Sequence, residues 1–192
     1  MSAPAVLSRS PVGGDRVLVS PAPSTVGVPR ATAGCQYVWG VDPAVSRLAF
    51  AFAPVDGGPI EVETLNTASD AREGERLGLL DRQTRIYARQ RAAEFPPAVV
   101  WVEQPSGRFR NLPLTYAVGV IQAALFETLG VPVWTIPSST WKARTVGVGN
   151  ATKAQAMAWA ERVATVDGQD EADAVGIAHA GRAMVESGRW AA

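Results

Sequence analysis

Two continuous apolar runs in this chain each end on a carboxylate, Tyr37–Val41 on Asp42 and Ala98–Val102 on Glu103. A run that is apolar at every position, rather than at every second one, suits a strand covered on both faces, as in a sheet with helices above and below. An ionised acid at the end of such a strand is costly unless something cationic meets it. The run Leu48–Ala53 follows Asp42 after a tight turn, and Pro59–Leu65 follows the Asp56-Gly57-Gly58 turn. Three short antiparallel strands are the economical arrangement for that segment. Val131–Ile136 reads as another buried strand.

The segments between them read as helices. Glu73–Glu94 is charged and amphipathic, with Leu77, Leu80, Ile86 and Tyr87 expected to face inward, and Pro96-Pro97 stops it. Leu114–Leu129 is long and apolar, and Gly130 ends it. Thr152 with Gln155 forms a capping box that opens a helix running to about Val163. Asp170–Glu186 is the last helix, ended by Gly188. The order βββαβαβαα describes an α/β domain with a mixed sheet. Residues 1–34 are rich in Pro, Ala, Ser, Gly and Val without a sustained period and read as a flexible extension, leaving 35–192 as the folded domain.

Composition removes several function classes. At 192 residues the chain fits one domain with a real core. No stretch is expected to reach the roughly 18 apolar residues that cross a membrane. Arg9 is not followed by an apolar core, so a secretory signal is not expected, and the expected location is cytoplasmic. One cysteine, Cys35, and one histidine, His179, cannot make an internal disulfide or a zinc site. Net charge is zero, yet its distribution is uneven. Between Gln104 and Lys153 five bases (Arg108, Arg110, Lys142, Arg144, Lys153) face only Glu127, a net +4, and the flanking segments Asp42–Glu103 and Ala154–Ala192 are each net −3. The chain has sixteen Arg and two Lys, and both Lys lie in the basic stretch. A chain that uses Arg elsewhere has a reason to place ammonium groups at those two positions.

Each acid has two readings. Asp42 before Pro43 suits an Asx turn, and Glu103 suits the first solvated residue after a strand. In an open α/β sheet, however, the carboxyl ends of neighbouring strands form the binding crevice. The last helix opens with Asp170-Glu171-Ala172-Asp173. Asp170 and Asp173, three apart, share a face, while Glu171 points elsewhere. Helix capping accounts for Asp170 but poorly for Asp173, which runs into an apolar helix. If the four acids Asp42, Glu103, Asp170 and Asp173 converge, the oxygen-only donor set suits Mg²⁺ or Mn²⁺. Two such ions serve phosphodiester cleavage. His179, on a different helical face, reads as structural.

Four stretches, "WGVDPAVSRLAFA", "VVWVEQ", "WKARTVGVGNATKAQ" and "DEADAVGIAHA", occur in an order and spacing that resembles the RuvC family of Holliday junction resolvases, within the ribonuclease H-like superfamily. The resemblance covers roughly Tyr37 to Gly181. It implies a ribonuclease H-like fold with a five-stranded mixed sheet flanked by helices. It implies a homodimeric, Mg²⁺-dependent endonuclease that resolves four-way DNA junctions in recombination, replication or repair, with two ions per site and Mn²⁺ able to substitute. A structure-selective enzyme that also cuts flaps and forks is the alternative. On this resemblance Asp42, Glu103, Asp170 and Asp173 are the metal-binding catalytic acids, and Lys153 supports the scissile phosphate. Lys142, Arg144, Arg108 and Arg110 would meet the DNA backbone, with Gly147 and Gly149 allowing its close approach. The apolar helix Leu114–Leu129 would be the dimer interface, the alternative being its full burial inside the monomer. Two departures stand out. Ala44 follows Pro43 where the family usually has Gly. In "EQPSGRFRN" the expected aromatic wedge position holds Pro105 or Ser106, with Phe109 as a displaced candidate.

Overall fold

A computed structural model describes residues 36–67, 72–105 and 112–188. The expectations for Arg108, Phe109, Arg110 and the 1–34 extension fall outside these described residues. Among the described residues ten elements follow in order. They are β1 (Tyr37–Asp42), β2 (Arg47–Pro54), β3 (Glu61–Asn66), α1 (Glu73–Ala92), β4 (Pro97–Gln104), α2 (Leu112–Leu129), β5 (Val133–Pro137), α3 (Ser138–Thr145), α4 (Lys153–Ala160) and α5 (Gln169–Glu186). The strands form one mixed sheet in the order β3-β2-β1-β4-β5. β2 runs antiparallel to both β1 and β3, and β4 is parallel to both β1 and β5.

β2 shows how the apolar runs set the layer spacing. Side chains alternate between faces along a strand. Leu48, Phe50 and Phe52 therefore point one way, into a core shared with Trp39, Val100, Val102, Leu80 of α1 and Ile121 of α2. Phe52 stacks on Phe95 at 4.4 Å between ring centroids, and Phe50 meets Tyr87 at 4.6 Å. Fully burying each such ring is worth roughly 1.5–3 kcal/mol. Ala49, Ala51 and Ala53 point the other way, against Ala174, Val175 and Ala178 of α5. Along β2, one face is thus padded with aromatic rings and the other carries only alanine methyls.

The alanine face lets α5 come close. A methyl group placed on Gly40 of β1 would stand 2.4 Å from both the Ala174 carbonyl oxygen and the Ala178 backbone nitrogen, so α5 and β1 meet backbone to backbone. Next along α5, Gly176 lies against the Trp141 indole of α3, and a methyl group at that position would stand 2.5 Å from the ring.

Several expectations need correction. Ile86 is 49% exposed, whereas Thr84 and Ala88 are buried beside Leu80 and Tyr87. The buried positions 80, 84, 87 and 88 follow the 3.6-residue period, and Ile86 falls outside that stripe. β5 is an edge strand with Trp134 46% exposed, not a buried one. Residues 138–145 form α3, a helix absent from the expected order of elements. The helix opened by Thr152 ends at Ala160 rather than Val163, although its capping box is present: Gln155 Oε1 accepts the Thr152 N–H at 2.9 Å and Thr152 Oγ1 accepts the Gln155 N–H at 3.3 Å. Finally, α2 is long and apolar enough by length and hydropathy alone to cross a membrane, contrary to expectation. Its stripe of Ala117, Val118, Ile121, Ala124 and Leu125 is buried in the fold.

Gly40→Ala should lower unfolding stability by about 3 kcal/mol, since the overpacked atoms are backbone and cannot rotate away. Urea denaturation monitored by circular dichroism measures this; a loss below about 0.5 kcal/mol would mean that α5 does not sit directly on β1.

Candidate active site

Strand alternation decides where the first two acids point. On β1, Val38, Gly40 and Asp42 share the α5 face; on β4, Val99, Trp101 and Glu103 share the same face. The parallel register pairs Val41 with Val102, which sets Asp42 beside Glu103 at the carboxyl ends of the two central strands. Glu103 lies close enough there to act on the Asp42 carboxyl through both charge and hydrogen bonding. α5 lies against this face, and its first two turns carry Asp170 and Asp173 to the same end.

Electrostatics reflects the convergence of all four acids. Burial pushes the Asp42 carboxyl up to about 9, helped by the charge and hydrogen bond of Glu103 and then by Asp173 and Asp170. Asp173 is raised to about 6, chiefly by burial and also by Glu103. Opposing that rise are a hydrogen bond from Gln169 and the positive charges of Lys142 and Lys153. The charges of both lysines therefore act on the acids, Lys142 from α3 and Lys153 from the first turn of α4. Arg144 is exposed on α3.

Three other residues hold the acids, and none of them carries a role in the sequence pattern. The Trp141 indole N–H donates to Glu103 Oε1 at 3.2 Å from a fully buried ring. Gln169 Nε2 donates to Asp173 Oδ1 at 2.6 Å. Arg47 Nε stands 4.0 Å from Asp170 Oδ2. A tryptophan directly before the basic Lys142 is the available signal for the first; nothing local marks the other two. Glu171, expected to point elsewhere, does turn away from the other acids, but into the protein, where it is only 8% exposed. His179 packs edge-on against Trp159 at 5.1 Å between centroids, in keeping with a structural role. Ala44 needs no special backbone, because no non-glycine among the described residues has a positive φ. Gly147 does, at φ 94°, just after the C-cap of α3.

Among the described residues, no group of three or more His, Cys, Asp or Glu is arranged to hold a metal ion as the side chains stand. The acids are engaged instead with each other, with Gln169 and with Arg47. The donor set nonetheless fits a hard cation. Four carboxylates supply only oxygen, and the buried Asp42 carries an excess of neighbouring negative charge that a divalent ion would offset.

No protein-family model matches the chain, and no curated protein matches it in sequence. Solved structures do match in fold. Thermus thermophilus RuvC aligns at a TM-score of 0.64 and 23% identity, covering 80% of this chain and 97% of that one. The fold is RuvC-like. The same Thermus protein in complex with a Holliday junction substrate aligns at 0.64 and 23%, over 80% and 96% of the two chains. A yeast mitochondrial Holliday junction resolvase aligns at 0.54 and 12%, over 84% and 87%. The five-stranded mixed sheet expected from the sequence is present, with the RuvC-like helices on both faces.

An acid whose pKa rises on folding holds its proton more tightly in the folded state. Its stabilising effect is fully present below the unfolded value near 3.8 and is lost as pH climbs toward about 9. Without divalent ions the melting temperature should therefore fall between pH 5 and 9. Asp42→Asn should flatten that fall and raise the melting temperature at pH 8 by several degrees, at about 2–4 °C per kcal/mol for a chain this size. Thermal denaturation with chelator across that range checks both; an unchanged pH slope in the variant would contradict the burial of Asp42 among other acids.

Proposed function

We propose that this chain is a metal-dependent endonuclease that resolves four-way DNA junctions, acting in the cytoplasm during recombination or repair. The observation that carries the reading is the meeting of Asp42, Glu103, Asp170 and Asp173 at one end of a RuvC-like sheet, with Lys142 and Lys153 beside them. The fold neighbour in complex with a Holliday junction supports the choice of substrate.

Asp42, Glu103, Asp170 and Asp173 would hold divalent ions, Mg²⁺ or Mn²⁺, two to a site. Held there, the ions supply a nucleophilic water and charge stabilisation for the leaving oxygen. The Trp141 hydrogen bond keeps Glu103 aimed at the site as its neighbours rearrange. Lys153 places a compact positive charge where the scissile phosphate develops negative charge. Lys142 and Arg144, with Arg108 and Arg110 of the 106–111 segment, hold the phosphate backbone, which orients the substrate without reading sequence. Phe109 in that segment is the candidate wedge at the junction centre.

A four-way junction has near two-fold symmetry, so paired cuts suit a two-fold dimer. α2 offers the surface. Leu112 (57%), Tyr116 (52%) and Phe126 (59%) are exposed on one stripe of the helix, with the exposed Gly119 and Ala123 between them. Bulky ends and small centre residues suit the close crossing of two such helices. Tyr116→Glu with Phe126→Glu should convert a dimer to a folded monomer in analytical ultracentrifugation; an unchanged dimer would place the interface elsewhere.

The activity test uses a labelled four-way junction beside linear duplex, flap and fork DNA, with Mg²⁺, Mn²⁺ or chelator. Paired cuts in the junction alone are expected. Asp42→Asn or Glu103→Gln should reduce them more than about 100-fold, a barrier increase of about 2.7 kcal/mol. Comparable cutting of flaps and forks would identify the broader branched-DNA nuclease. Tight binding without metal-dependent cutting would overturn the catalytic reading.

A further inference from the structure

Glu171 is only 8% exposed, yet it lies within the acidic start of α5. Its surroundings explain the burial. α5 begins at Gly168, an N-cap with no side chain to accept a hydrogen bond from the first turn. Glu171, three residues further on, reaches back past that cap. Its Oε2 accepts the Asp167 backbone N–H at 2.6 Å. Its Oε1 accepts from Arg47 Nη2 at 3.4 Å, and the Nε of the same guanidinium stands 4.0 Å from Asp170 Oδ2. Arg47 opens β2, two residues before Ala49, the register partner of Asp42. One buried side chain thus ties the loop before α5, the first turn of α5 and the strand beside Asp42.

We propose that Glu171 and Arg47 form a positioning latch, fixing the first turns of α5 so that Asp170 and Asp173 stand at a set distance from Asp42. The latch rests on the nuclease reading of those acids. Neither residue touches the reacting atoms. The need for it is physical: helix ends fray, and Asp170 and Asp173 both lie within the first five residues of α5. A misplacement of about 1 Å in a reacting constellation costs on the order of 100-fold in rate. Ordinary capping would fix the helix end alone, whereas the Arg47 contact also fixes it to the strand.

The test compares full-length wild type, Glu171→Ala and Glu171→Gln. The Gln amide oxygen can still accept the Asp167 N–H, so it keeps the backbone half of the latch and loses the charged contact with Arg47; Ala loses both. Hydrogen exchange by mass spectrometry reads the latch directly, without DNA or metal. Cleavage at saturating metal, against junction binding in chelator, reads its consequence. In Glu171→Ala, the amides of residues 167–172 should exchange faster and cleavage should drop about 10–100-fold, with junction binding within about twofold of wild type. Glu171→Gln should fall between wild type and Ala in exchange and in cleavage. Wild-type exchange in Glu171→Ala would overturn the latch. Wild-type behaviour of Glu171→Gln in exchange and cleavage would leave the Arg47 contact without effect and overturn it too. A parallel loss of binding and cleavage in Glu171→Ala would reduce Glu171 to a folding residue and also overturn it. If wild type itself cuts nothing, the nuclease reading fails, and the exchange comparison still decides whether the latch exists.

Discussion

The approach of α5 to β1 at Gly40 governs the geometry of this protein. Nothing larger than hydrogen fits between the strand and the Ala174 and Ala178 backbone. The alanines of β2 extend the same bare surface, so the helix lies flat on the middle of the sheet. On the other side the phenylalanines and Trp39 pack against α1 and α2. The sheet is therefore asymmetric, and the acids all emerge on its close-packed side.

Close packing creates an electrostatic problem at the end of the sheet. Asp42, Glu103, Asp170 and Asp173 share a small, partly buried space, and the Asp42 carboxyl rises to about 9 as a result. Lys142 and Lys153 pull in the opposite direction at Asp173. Holding like charges together costs folding energy, and such sites are kept where the charge has a use. Trp141, Gln169 and Arg47 aim the individual carboxylates while the backbone contact fixes the elements that carry them.

Much of this is legible in the chain because it depends on local pattern. The apolar runs that end on Asp42 and Glu103 mark the two central strands, and Thr152 with Gln155 marks the start of α4. Ile86 misleads because an apolar residue one step outside a helical stripe looks like one within it. β5 reads as buried for a related reason: Trp134 and Val133 are apolar, but only the sheet order reveals that β5 lies at the edge. The short α3 lacks a strong period and has a proline, Pro137, rather than a side-chain cap at its start. Glu171 is invisible to a local pattern because its partner Arg47 lies 124 residues away. The acids can be placed by type and spacing, but the residues that hold them belong to tertiary structure.

The central claim is that the four acids form a divalent-metal site. The most direct measurement is anomalous X-ray scattering from crystals of the full chain grown with Mn²⁺, alongside crystals of Asp42→Asn. The account predicts manganese density in contact with Asp42 and Glu103 and reaching Asp173, lost or weakened in the variant. Crystals saturated with Mn²⁺ that show no ion among these carboxylates, or that show the same ion unaltered by Asp42→Asn, would contradict it.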